Sequence, residues 1–164
     1  MTSYETFEPR DKIRKLLSSI EIDDDGIEKD ILEIEDSNGN KIKIPIYLSE
    51  EIKSDVLPSL PCIELGLLSV LSEPQDIAAQ TRKNTAVIDV HIWYPAMDDV
   101  NQVEIGKKIS DLIYHLIRTN QSKIEGVYFA NVRNTGRVLI ETRGHQVFFH
   151  RIMEITCMNY SEVR

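Results

Sequence analysis

The sequence predicts an α+β fold: a mainly antiparallel sheet of about four to six strands, packed by an N-terminal helix and one long helix over about residues 99–120. Three observations carry that expectation. The stretch "TAVIDVHIWYPAMDDVNQVEIGKKISDLIYHLI" switches from an apolar period of two to a helical period. The dipeptide Asn38-Gly39 separates two strand-like runs, a strong local hairpin signal. The last third alternates like a meander, with breaks at Asn134-Thr135-Gly136 and Arg143-Gly144. A chain of 164 residues is read as a single domain, 1–164, large enough to bury a core.

Taken in order, Ile13, Leu16, Leu17 and Ile20 share one face of a first helix, with Arg10, Lys12, Arg14 and Lys15 mostly off it. Pro9 suits its first turn, where a missing N–H costs nothing. The helix is expected to stop before "DDDG", because acids are unfavourable at a negative helix end. In the hairpin, Ile31, Leu32 and Ile34 form one run, Ile42, Ile44 and Ile46 alternate with Lys41, Lys43 and Pro45 in the other, and Pro45 predicts an edge strand or a strand end. "SEEIKSDVLPSL" reads as a connector or short helix. "PCIELGLLSVL" is an apolar strand with a possible bulge at Gly66. The segment Ser72–Asn84 lacks periodicity and is expected to be a long loop.

In the next strand Ala86, Ile88, Val90 and Ile92 line a face that should meet a helix, while Val87, Asp89, His91 and Trp93 line a partly covered one. Asp98 or Asp99 can cap the long helix, whose stripe is Val103, Ile109, Leu112, Ile113, Leu116 and Ile117. At 1.5 Å per residue that helix would be roughly 33 Å long.

Chemistry is scarce. No P-loop, G-x-S-x-G or G-x-G-x-x-G occurs. "EIDDDGIEKDIL" mimics the start of a calcium loop, but Leu32 stands where a bidentate Glu is needed. Cys62 and Cys157 lie far apart in apolar runs and read as buried reduced thiols. None of His91, His115, His145 and His150 has a carboxylate at a spacing that suggests a triad or a metal site. No catalytic residue, metal or cofactor is expected. Trp93 is either a core-edge residue or an interface anchor.

The net charge of −8 is unevenly spread. Residues 1–60 carry 15 acids against 8 bases, whereas residues 123–164 carry 4 against 6. Such ends either keep the surface soluble or let copies meet through complementary patches. The composition does not offer the concentrated basic footprint of a nucleic-acid binder. No apolar run approaches the ~20 residues of a membrane span, and "MTSYETFEPRDKIRK" has no signal-peptide core.

The order helix, hairpin, "LPCIELGLLSV", long loop, "VIDVHIWY", "IGKKISDLIYHLI" and final strands resembles the tail-terminator and tail-completion (neck) proteins of long-tailed bacteriophages and prophages. The likeness runs from about Phe7 to Tyr160 and rests on Ile88-Asp89-Val90-His91-Ile92-Trp93 and on the helix Val103 to Ile117. The acidic "DDDGIEKD" and the chain length depart from that family's pattern.

The resemblance implies a structural, non-enzymatic virion protein, present in the host cytoplasm during assembly. It would form a hexameric ring that caps the tail tube, stops its polymerisation and joins the tail to the head connector. Its partners would be copies of itself, the tube protein and a connector or neck protein, with no membrane. Genome DNA would pass through a lumen whose negative charge limits sticking. Arg82, Lys83, Trp93, Arg133 and Arg137 are the candidate subunit or tube interface, and Asp23, Asp24 and Asp25 the candidate acidic contact surface. A head-completion adaptor is the near alternative. A small cytoplasmic enzyme or ligand-binding module, with a pocket at His91, Trp93 and His145–His150, is the alternative from another class.

Overall fold

The computed structural model describes residues 7–22, 24–52, 57, 60–78, 80–96, 100–143 and 145–162, without the side chains of residues 20, 100–102 and 134–136. Helix α1 (Arg10–Leu17) leads into β1 (Ser19–Ile22), β2 (Glu28–Glu35), β3 (Lys41–Leu48), a 3-10 turn (Ser49–Glu51), β4 (Cys62–Pro74) and β5 (Thr81–Pro95). Helix α2 (Val100–Asn120), β6 (Phe129–Arg143) and β7 (Gln146–Glu162) complete the chain. The strands form a seven-stranded sheet in the order β1-β2-β3-β4-β5-β7-β6. Among the described residues only the β3–β4 pairing is parallel, so the sheet is mixed, and it is larger than the four to six strands expected.

Both helices lie on one face. From α2, Ile105, Ile109, Ile113 and Ile117 recur every fourth residue and meet Ile88, Val90 and Ile92 of β5, all buried. Ile13 and Leu17 of α1 join the same core. Val103, expected in the stripe, is 49% exposed, and Ile105 takes that place. The capping candidates Asp98 and Asp99 lie outside the described residues. The opposite face carries a smaller cluster of Leu57, Cys62, Trp93 and Phe148 with the buried His150, and is more open elsewhere, with Val87, His91, Ile152 and Thr156 half-buried. Cys62 and Cys157 are free and buried, and burial pushes both thiols up to about 12.

Helix α1 ends at Leu17, earlier than its apolar spacing implies. The backbone of Ser18 turns extended, and its amide and hydroxyl both donate to the Arg14 carbonyl, at 3.0 and 2.7 Å. Ile20 therefore belongs to β1 and not to the helix. In the β2–β3 hairpin the Asp36 carboxylate accepts from the Asn38 and Asn40 amides, and Gly39 takes φ +81°. Strand β3 is interior, contrary to the edge position that Pro45 suggested. Its pairing with β4 begins only at Ile46, so the missing Pro45 N–H falls just before that ladder.

The segment Ser72–Asn84 is not a long loop. Ser72, Glu73 and Pro74 pair with Asn84, Lys83 and Arg82, which leaves a tip of residues 75–80. There the Asp76 carboxylate accepts from the Gln80 and Thr81 amides at 2.8 Å. Nor is Asn134-Thr135-Gly136 a turn between strands. It lies inside β6, where the register with β7 shifts between Asn134 and Val138.

Arg10, which the helix pattern placed on a solvated face, is 8% exposed. Its guanidinium donates to Glu8 (2.8–3.0 Å), to Glu50 (2.8 and 3.0 Å) and to the Leu65 carbonyl (3.3 Å), tying α1 to the 3-10 turn and β4. Arg10→Lys keeps the charge but cannot reproduce this planar fork. The expected loss is about 1–2 kcal/mol, read as a lower denaturation midpoint. It is held to that size because the Glu8 and Glu50 side chains are 35% and 58% exposed, and water can replace part of what Arg10 supplies. Glu50's own backbone amide, and then Arg10, hold its carboxyl below the usual range. That contribution is present above the ordinary value of 4.5 and is lost as pH falls through the folded one.

Candidate functional site

Two parts of the molecule hold chemistry that the packing does not require: a polar cluster on the open face of the sheet, and the two sheet edges.

The cluster follows from strand alternation. Asp89, His91 and Trp93 are two residues apart on β5 and share the face away from the helices. Antiparallel pairing sets His150 of β7 opposite Trp93, and Leu139 of β6 opposite His150. Glu141, two residues beyond Leu139, then reaches back to His150. The result is a hydrogen-bonded row. His91 Nε2 bonds Asp89 Oδ2, His91 Nδ1 lies 2.7 Å from His150 Nε2, and His150 Nδ1 lies 2.8 Å from Glu141 Oε1. Trp93 stacks on His150 with ring centroids 3.8 Å apart and donates through Nε1 to Glu64 at 3.1 Å. The Arg143 guanidinium also lies over the indole, 4.5 Å from its centroid.

The expectation that no histidine has a carboxylate partner is therefore corrected for two of the four. Asp89 and His91, at i and i+2 of a recognised strand, could have been paired from the sequence alone. Glu141 and His150 could not, because their meeting depends on the β6–β7 register. His145 is exposed in the turn before β7 and takes no part, and His115 is exposed on α2. Bonding to His91 holds the Asp89 carboxyl below its usual range, while burial, ahead of the opposing pull of Glu141, lowers His150. The four groups bond to one another and do not converge on a point. Among the described residues no trio of His, Cys, Asp or Glu is arranged to hold a metal ion.

Gly66 serves this row. A Cβ there would lie 2.1 Å from Asp89 Oδ1 and 2.9 Å from its Cγ. The bulge expected at Gly66 falls instead between Leu67 and Ser69. Gly66→Ala should force the buried carboxylate off His91 or push β4 aside, at a cost of about 1–3 kcal/mol. A fall in Tm of roughly 5 °C in a thermal melt is the expected result.

The edges are unlike each other. Outer strand β1 and the turn after it carry Glu21, Asp24 and Asp25, and Glu28 opens β2 beside them; Asp24 and Asp25 are exposed, and Asp23 lies outside the described residues. Outer strand β6 carries exposed Arg133 and Arg137, with Arg133 opposite Glu154 in register. It also exposes Val138 (42%), Leu139 (39%) and Ile140 (69%) in succession. Open hollows sit at both ends: about 290 Å³ beside Glu21, Ile22, Asp24 and Lys29, and about 310 Å³ between Tyr114, Arg118 and Phe129–Val132. Arg82 and Lys83 are half-buried near the tip of the β4–β5 hairpin, where Arg82 Nε donates to Ser72 Oγ. Trp93 is 2% exposed and packed within the chain, far from an open anchor. No protein-family model matches this sequence, and no curated protein matches it.

Proposed function

We propose that this chain is a structural virion protein, the subunit of a hexameric ring that caps a tail tube, stops its growth and joins the tail to the head connector. The observation that carries the reading is the inequality of the two sheet edges. One edge is acidic. The other is basic and exposes three consecutive apolar residues on both faces of an outermost strand. An exposed apolar edge strand is a template for another chain, and a patch that fits a different patch on the next copy generates rings when the rotation closes. The order of elements, from α1 through the β2–β3 hairpin and β5 into α2 and the final strand pair, keeps the layout on which the resemblance to tail terminators rests. The β4–β5 hairpin, with Arg82 and Lys83 near its tip, is the arm that would reach a neighbour or the tube.

The test is co-purification of the tagged chain with tails or virions, paired with light scattering of the purified protein at low and high concentration. Recovery with tails supports the reading. A chain that remains monomeric at every concentration and never accompanies particles overturns it. Subunit counting by electron microscopy separates the terminator, expected to be sixfold, from a head-completion adaptor on the twelvefold side. A ring lumen dominated by Lys and Arg would contradict the DNA-repelling role.

The meeting of His91, Trp93 and His150 favours a second reading, a small enzyme or ligand-binding module. Loss of a measured activity in His91→Ala and His150→Ala, with assembly intact, is its signature.

A further inference from the structure

The row of four groups on the open face contains a hydrogen count that does not balance for neutral histidines. It has three links: Asp89 to His91, His91 to His150, and His150 to Glu141. Each link needs one hydrogen. Two neutral imidazoles carry one N–H apiece, and ionised carboxylates carry none. With two hydrogens, one link must set lone pair against lone pair. With two imidazolium rings there are four, and the 2.7 Å contact between His91 Nδ1 and His150 Nε2 would then set N–H against N–H. Only three hydrogens satisfy every link.

We propose that Asp89, His91, His150 and Glu141 hold one extra proton in common, formally on His91, and that this proton acts as a pH-operated latch fastening β5, β7 and β6. In the latched state His91 donates from Nε2 to the Asp89 carboxylate and from Nδ1 to His150 Nε2. His150 is neutral and donates from Nδ1 to Glu141. The burial of His150 beneath Trp93, which disfavours its charged form, and the ionised state of Asp89 both agree with that placement. Several charged or titratable groups surround the row. Glu64 and Cys62 come from β4, Arg143 from β6 and Glu154, opposite Asp89, from β7, while Tyr47 of β3 borders the Trp93 cluster. Arg10 acts on Asp89 from α1. Loss of the proton leaves the link between His91 and His150, and with it this side-chain tie between β5 and β7, without a hydrogen, while His150 still donates to Glu141. The latch lies within one chain and needs no second copy.

The experiment is long-range ¹⁵N–¹H NMR of the histidine rings in the full chain across neutral and alkaline pH. His115→Gln and His145→Gln identify the exposed rings by difference. At neutral pH the expected pattern is three protonated ring nitrogens and one bare one, the bare one being His150 Nε2. As pH rises, one N–H should be lost in a single step that shifts both rings together. Two neutral rings at neutral pH, four protonated nitrogens, a bare nitrogen on His91, or two rings that titrate independently would each overturn the proposal. Asp89→Asn removes the adjacent negative charge and should move the step to lower pH by about one unit, a tenfold loss of proton affinity. An unmoved step counts against the latch. Should that variant fail to fold, the spectrum of the unaltered chain still decides.

Discussion

Gly106→Val should lower Tm by roughly 10 °C, although nothing in the sequence marks this glycine as special. It lies inside α2, where glycine costs about 1 kcal/mol relative to alanine, so propensity alone says that replacement helps. Packing says otherwise. A Cβ at Gly106 would lie 2.3 Å from Tyr94 Cζ, 2.5 Å from Cε1 and 2.6 Å from the hydroxyl. Tyr94 is fully buried and its ring lies 5.4 Å from that of Phe149, so the ring has no easy direction in which to yield. Overpacking typically costs 1–3 kcal/mol, and a branched side chain at such a contact belongs at or above the upper end, about 3 kcal/mol. Gly106→Ala separates the two effects. If propensity wins, alanine raises Tm; the contact predicts that it falls. Combining Gly106→Ala with Tyr94→Leu should recover much of the loss, because the two sites couple through one clash.

What could be read from the sequence divides along a physical line. The alternation of Ala86, Ile88, Val90 and Ile92 and the helical spacing of Ile109, Ile113 and Ile117 were legible, because burial on one face writes a period into the chain. Where polar side chains fill a strand that period vanishes. Hence Ser72–Pro74 and Arg82–Asn84, polar apart from Pro74 and paired by ladder bonds, looked like loop. The bulge between Asn134 and Val138 disguised one long strand as two, because turn-forming residues also suit an interrupted ladder. β1 was hidden differently: Ile20 happens to continue the helical stripe, and only Ser18's bonds to Arg14 end the helix before it. Arg10 looked solvated because its partners, Glu50 and the Leu65 carbonyl, come from 40 and 55 residues away. Half of the polar row was within reach, since Asp89 and His91 share a strand face. The other half waited on a pairing no local pattern specifies.

Ile140→Lys should abolish self-assembly while leaving the folded subunit intact. Ile140 is 69% exposed, so its replacement removes little internal packing, and a change within about 0.5 kcal/mol in the single chain is expected. In an interface the balance reverses. Covering an isoleucine contributes about 1.5–3 kcal/mol, and an edge lysine must be desolvated or kept in water. A loss of about 2 kcal/mol per contact weakens each pairwise step roughly thirtyfold. A closed ring has as many such contacts as subunits, so the loss compounds.

Charge complicates the result usefully. Lysine strengthens a basic edge that faces an acidic one, which would favour association if electrostatics dominated. Assembly that survives or improves in Ile140→Lys, yet fails in Arg133→Glu with Arg137→Glu, would mean that charge alone drives the contact; it should then collapse in high salt, where exposed charges are screened. The three apolar residues in succession on β6 argue for the other outcome. In the proposed ring, basic groups would steer the encounter and select the acidic edge, and the Val138–Ile140 run would supply the adhesion. Circular dichroism of the variant matching the unaltered chain, with light scattering fixed at the monomer mass, is the expected pair of readings. Higher-order species at unchanged yield would place the contact elsewhere than β6.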